Sequence, residues 1–147
     1  MRIGLYGGSF NPPHVGHGMV CYYLLETSPL DSIWLIPTWC HAFAKPLAPY
    51  DDRLELCRLL AAPFSGRVQV SDIERRRGAV SFTIDTVRAL QTLHPEHIFE
   101  WIIGADILLE AERWKEYPLL KELIAFRVLG RRGYEGGGCL LYTSDAA

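Results

Sequence analysis

Two histidines stand three residues apart, His14 and His17, directly behind the glycine pair Gly7-Gly8 in the stretch 5–17, LYGGSFNPPHVGH. On a helix that spacing puts both imidazoles on one face, near the first turn. The N–H groups of a first turn and its positive dipole end attract anions, and two imidazoles can donate to the same phosphate oxygens. Gly7 and Gly8 let backbone approach a ligand where a Cβ would obstruct it. Pro12 and Pro13, with fixed φ, stiffen the approach to the histidines. The residue types are those of a phosphate site. Two other readings stand beside it. The histidines could ligate a metal, but no nearby Cys, Asp or Glu completes a set, so no metal ligand is assigned. They could also be ordinary histidines behind a Gly-Gly turn.

The elements that would position this run follow from periodicity and turn chemistry. Residues 2–6 read as a first strand and residues 15–26 as a helix. After turn chemistry at 27–32, the apolar run 33–36 reads as a buried parallel strand. Asp51 or Asp52 is expected to cap a second helix, with Leu54, Cys57, Leu60 and Ala61 on one face and Pro63 and Gly66 ending it. Residues 68–73 alternate as a third strand. Ser81 is expected to cap a third helix striped by Ile84, Val87, Leu90 and Leu93. Residues 97–103 give a fourth strand ending at Gly104, short helical pieces follow around 108–114 and 119–123, and residues 126–129 give a fifth strand. Alternating strands and helices imply an α/β, Rossmann-like, doubly wound parallel sheet.

At 147 residues and 49% apolar, the chain suits one well-buried domain. Its 15 basic and 17 acidic residues are interspersed, with a net charge of -2, so no global field argues for nucleic acid or an anionic membrane. There is no leader-like n-region and h-region and no stretch of membrane-spanning length, so a cytoplasmic location is expected. Cys21, Cys40, Cys57 and Cys139 form no C-x-x-C pair and read as buried thiols. The absence of a P-loop and of G-x-G-x-x-G after the first strand weighs against a P-loop NTPase or a dinucleotide oxidoreductase. Arg53 and the run 75–77 read as a solvated basic face.

The segment GSFNPPHVGH resembles the signature of the HxGH nucleotidyltransferase superfamily. With SFTIDT at 81–86, WIIGAD at 101–106, Trp114, Tyr117 and VLGRRGY at 128–134, the chain most resembles the bacterial nicotinate mononucleotide adenylyltransferases, from about residue 2 to 134. The resemblance implies five strands ordered 3-2-1-4-5, with the topological switch between strands one and four. Ligands in such sheets sit at the carboxyl ends beside the switch, where the stretches after strands one and four would converge. It implies transfer of AMP from ATP to nicotinate mononucleotide, giving deamido-NAD and pyrophosphate, with Mg²⁺ accompanying ATP. His14 and His17 would be the catalytic contacts to the ATP phosphates. Gly7, Gly8, Ser9 and Phe10 would line the floor, and Gly104 and Asp106 would face the nucleotide. Thr83 would hydrogen-bond near the nicotinate carboxylate, Trp114 would stack on the pyridine ring, and Lys45 would reach a phosphate. Read without the resemblance, Asp106 is equally a helix N-cap, Trp114 core, and Thr83 a first-turn threonine. The implied partners are the two nucleotides, with neither nucleic acid nor membrane; a homo-oligomer is compatible with the sequence.

The chain departs from the family pattern in four places. The loop at 37–45 lacks the usual Pro-His-Lys, and Phe82 replaces a tyrosine. The closing Ser-Ser/Thr-x-x-Arg motif, which binds the triphosphate, is absent. The tail 139–147 resembles nothing in the family, so a nucleotidyltransferase domain over 1–138, C-terminally truncated, with a foreign tail is expected. Two other functions stay open: a nucleotide-binding module without turnover, and a sister transferase using nicotinamide mononucleotide or another phosphorylated acceptor.

Overall fold

The first strand, β1 (Arg2–Gly8), becomes the centre of the sheet because its apolar residues face helices on both sides; Ile3 and Leu5 are fully buried. A computed structural model describes residues 1–40 and 46–130 and the backbone of 139–142. Lys45 and the tail beyond 142 lie outside the described residues. From β1 the chain forms α1 (Val15–Thr27), β2 (Ser32–Pro37), α2 (Tyr50–Ala61), a 3₁₀ turn, β3 (Val68–Val70) and α3 (Ile73–Arg77). It continues through α4 (Thr83–Leu93), β4 (Ile98–Gly104), α5 (Ala105–Ala111), α6 (Tyr117–Leu123), β5 (Ala125–Leu129) and β6 (Cys139–Tyr142). The parallel strands are ordered β3-β2-β1-β4-β5, as expected, and β6 adds an antiparallel strand beyond β5. That strand falls within the stretch expected as a foreign tail.

Helices cover both sheet faces. On one, Ile84, Val87 and Leu90 of α4 pack with Leu5, Trp101, Ile103 and Phe126; on the other, Cys21 and Leu24 of α1 and Cys57 of α2 pack with Ile33, Leu35 and Ile102. Burying each such aliphatic side chain contributes roughly 1.5–3 kcal/mol. One polar group crosses the sheet: Glu100, fully buried, accepts from Arg127 Nε at 2.6 Å and from Arg2 Nη1 at 2.9 Å. Cys21 and Cys57 are buried free thiols, as expected, and burial pushes each up to about 12; Cys40 is free but exposed, against the expectation of burial, and the side chain of Cys139 lies outside what is described. Among the described residues no helix is long and apolar enough to cross a membrane.

Several local expectations are corrected. Helix α2 starts at Tyr50 behind Pro49, and neither Asp51 nor Asp52 caps it; both sit in the first turn, where their charge still favours the dipole. The third strand stops at Val70. Ser71 Oγ accepts the Ile73 N–H, Asp72 takes the N-cap position, and Ile73 opens α3, which ends on Gly78 at φ 67°. A left-handed glycine is a common helix stop. Ser81 does not cap α4, since Phe82 holds that position; its Oγ accepts from the Trp39 and Cys40 N–H groups, both at 3.2 Å. Helix α5 begins three residues earlier than read, immediately after β4.

Arg53 is the largest correction. It is 2% exposed rather than solvated, and its guanidinium donates to Ala48 O, Ser9 O and Thr38 O at 2.8–2.9 Å. Desolvation lowers its pKa below the usual arginine value. The neighbouring basic run is paired as well: Arg75 with Asp51 and Asp72, Arg76 with Asp72, and Arg77 with Asp85.

Candidate active site

The ladder between β1 and β4 runs only from Arg2↔Ile98 to Leu5↔Trp101. On their other sides the same strands stay paired to their ends, through Gly8↔Pro37 and Gly104↔Leu129. The sheet therefore splits at its carboxyl edge, between Tyr6–Gly8 and Ile102–Gly104. A cleft of about 1170 Å³ lies over this split. Gly7 sits against the Trp101 ring, where an added Cβ would come within 2.6 Å of Cζ2, so only glycine fits.

His14 and His17 line one wall of the cleft. His14 is the N-cap of α1: its Nδ1 accepts the Gly16 N–H at 3.0 Å, and its own N–H donates to His17 Nδ1 at 3.0 Å. This is a capping box made of two imidazoles. Because both Nδ1 atoms accept, each ring carries its N–H on Nε2, free to be donated to an anion. The rings lie 4.0 Å apart, centroid to centroid, and His17 is held at its edges by Phe10 at 4.8 Å and Tyr6 at 5.8 Å. Burial, and secondarily the neighbouring His14, push His17 down to about 4. His17 is thus a neutral donor at physiological pH, not a cation.

Of the other residues singled out in the sequence, Gly7, Gly8, Ser9, Thr83, Gly104, Asp106 and Trp114 all line this one cleft. Phe10 does not. It is 2% exposed, with φ 45°, and packs beneath the histidine wall as a buttress. Gly104 is the N-cap of α5, so Asp106 lies in that helix's first turn instead of capping it. Trp114, half-buried, follows α5 and Thr83 opens α4, so they reach the cleft from separate elements. Lys45 lies outside the described residues.

The sequence reading missed Arg113 and Lys115, which flank Trp114 and also line the cleft. The cation-aromatic-cation triplet around Trp114 was the available signal. Lys115 Nζ bonds Asp85 Oδ2 at 3.0 Å and lies over the Phe82 ring at 5.0 Å. Arg77 approaches the same carboxylate at 3.7 Å. Glu74, another unforeseen lining residue, accepts from Thr86 Oγ1 at 2.6 Å and from the Trp39 N–H at 3.3 Å, tying α3, α4 and the end of β2 together. The cleft thus presents two imidazole N–H donors on the β1 side and an aromatic ring with two cations on the β4 side.

A cytidylyltransferase-like family model matches residues 5–137. A protein of Myxococcus xanthus named "probable nicotinate-nucleotide adenylyltransferase" is 41% identical over 134 residues, covering 91% of this chain and 70% of that protein. One of the same name from Anaeromyxobacter sp. is 44% identical over 136 residues, covering 90% and 72%. Among solved structures, Plasmodium falciparum nicotinic acid mononucleotide adenylyltransferase complexed with NaAD shares the fold, with a TM-score of 0.82 at 24% identity. That superposition covers 91% of this chain and 66% of the other. A split sheet edge carrying an HxGH wall, in a chain this similar over most of its length, belongs to the cytidylyltransferase-like family, among the nicotinate-nucleotide adenylyltransferases.

Proposed function

We propose that this chain carries the catalytic cleft of an enzyme that transfers AMP from ATP to nicotinate mononucleotide, giving deamido-NAD and pyrophosphate in NAD biosynthesis. The single observation that supports this most is the convergence of the histidine wall and the Thr83–Trp114 wall on one cleft over the β1–β4 split. Nicotinate-nucleotide adenylyltransferase is also the name carried by the relatives from Myxococcus and Anaeromyxobacter.

In this reading a phosphate oxygen of the mononucleotide attacks the α-phosphorus of ATP in line as pyrophosphate leaves, so no protein nucleophile is needed. The protein's share is positioning and charge stabilisation. His14 and His17 donate Nε2–H to the ATP phosphates, and the backbone of Gly7, Gly8 and Ser9 forms the floor beneath them. Asp106 and Gly104 face the nucleotide. Trp114 stacks on the pyridine ring, Thr83 bonds near its carboxylate, and Arg113 and Lys115 supply the positive charge that favours an acid over an amide. Lys45 would add a phosphate contact from its loop.

Mg²⁺ prefers oxygen ligands and keeps waters and substrate phosphates in its shell. Among the described residues the cleft's carboxylates, Asp106, Glu110 and Glu74, form no three-ligand cluster, which fits an ion arriving on the triphosphate. Bound there, Mg²⁺ would neutralise charge on the departing pyrophosphate. A cytoplasmic setting suits both nucleotide substrates.

The test is pyrophosphate release by the purified 147-residue chain with ATP and Mg²⁺, with nicotinate and nicotinamide mononucleotides in parallel. Release with the acid form supports the reading. Tight ATP binding without release from either acceptor would favour a non-catalytic module, and preference for the amide a sister transferase.

A further inference from the structure

At the opposite end of the sheet from the cleft, the short turn between α4 and β4 gathers His94, Glu96 and His97. One ligand atom from each lies within 4.8 Å of the others. Glu96 Oε1 is 3.4 Å from His97 Nε2 and 3.6 Å from His94 Nδ1. A tetrahedral zinc ion with bonds of about 2.0–2.2 Å sets its ligand atoms roughly 3.3–3.6 Å apart. Two imidazoles and one carboxylate are also a donor set that Zn²⁺ takes in proteins, with water in the fourth position.

We propose that His94, Glu96 and His97 form a binding site for a borderline divalent cation, Zn²⁺ above all, separate from the nucleotide cleft.

The three side chains are held in place by what surrounds them. The His94 N–H donates to Leu90 O, closing α4, and the His97 N–H donates to His94 O at 3.2 Å, which fixes the turn. The edge of Trp34 on β2 meets both rings, at 5.1 Å from His94 and 5.9 Å from His97. Met1 N lies 3.4 Å from His97 Nδ1, so that nitrogen faces the chain's beginning and Nε2 is the one turned to Glu96. His97 is mostly buried and His94 about two-thirds so, while Glu96 is open to solvent, leaving a path for the ion.

As an ion pair the trio accomplishes little, since exposed pairs contribute about 0–1 kcal/mol. A cation uses all three at once. It would clip the end of α4 to the start of β4, beside the start of β1, about 20 Å of strand away from the carboxyl edge. Such a clip stabilises the folded chain and leaves the chemistry alone.

The chelator-stripped full chain is titrated with Zn²⁺ by calorimetry, and its thermal unfolding is followed with and without the ion. One Zn²⁺ per chain, a higher Tm, and ~tenfold or greater weakening in Glu96→Gln, His94→Gln and His97→Ala are expected, while His14→Ala with His17→Ala leaves the stoichiometry unchanged. Glu96→Gln changes an exposed side chain and preserves its shape, so it decides the matter even where His97→Ala fails to fold. No binding, or binding untouched by these three substitutions, as capture by Cys40 or by the cleft histidines would give, overturns the proposal.

Discussion

Gly16 provides the space that the His14 ring fills: a Cβ there would stand 2.8 Å from His14 Cε1 and 2.9 Å from Nδ1. The glycine between the two histidines is therefore required by the position of the first imidazole. Gly16→Ala is expected to keep the fold, because alanine favours a helix by up to about 1 kcal/mol over glycine, yet to push the ring off its place. ATP affinity should drop ~tenfold or more, since small misplacements of positioning groups are costly. Calorimetric titration with ATP, alongside circular dichroism, measures both. Gly18→Ala is the contrast: its Cβ would meet only the flexible Leu60 side chain, Cδ1 at 3.3 Å and Cγ at 4.0 Å, so binding should be nearly unchanged.

Removing the imidazoles tests their chemistry. His17→Ala should lower the turnover number by about 10²–10³, the range for losing one charge-stabilising donor. His14→Ala should do the same and also lose the N-cap, costing ~1 kcal/mol of stability. Steady-state pyrophosphate release and urea unfolding of the two variants separate these effects.

His17 also predicts a pH dependence. Its folded value, about 4, lies below the roughly 6.5 of an unfolded histidine, so the unfolded chain takes up the proton first as pH falls. The stability it contributes is complete above about pH 6.5 and is lost progressively down to about pH 4. With the ring only half-buried, solvent screening reduces the effect to roughly 1–2 kcal/mol. Urea midpoints at pH 7 and pH 5 should fall further apart in the native chain than in His17→Asn. Equal falls would show that His17 is not the group responsible.

Arg53→Met should cost about 3–5 kcal/mol, because it leaves the carbonyls of Ser9, Thr38 and Ala48 without their shared donor. Arg53→Lys should recover little, since an ammonium cannot reproduce the planar fork. Thermal unfolding of both variants checks this, and ATP affinity should weaken with stability because Ser9 belongs to the floor of the cleft.

The cleft was legible in the sequence because its signals are local. The glycine pair and the spaced histidines sit together at the end of one strand, and Gly104 and Asp106 sit at the end of another that the family resemblance places beside it. Arg53 was illegible for the opposite reason: a charged residue in the first turn of a polar-faced helix looks solvated until three carbonyls, those of Ser9 and Thr38 distant in sequence, are seen to close around it. Ser81 was misread as a cap because its partners, Trp39 and Cys40, lie some forty residues away. Phe10 looked like cleft floor by its place in the motif, but a left-handed backbone there turns its ring under His17. Helix α3 is five residues long and polar, too short for any periodicity to show.

The split between β1 and β4 has a consequence for how the molecule breathes. The cleft rises directly from the two strands that also pair through Leu5↔Trp101 and bury the sheet's centre. Backbone amides at Ile3 to Leu5 and Phe99 to Trp101 should exchange with deuterium only when the whole domain opens, whereas the short α3 and α5 segments that wall the cleft should exchange through local opening. The paired strands beneath the cleft are thus the last part of the protein to come apart, and they outlast any loosening of the walls around it.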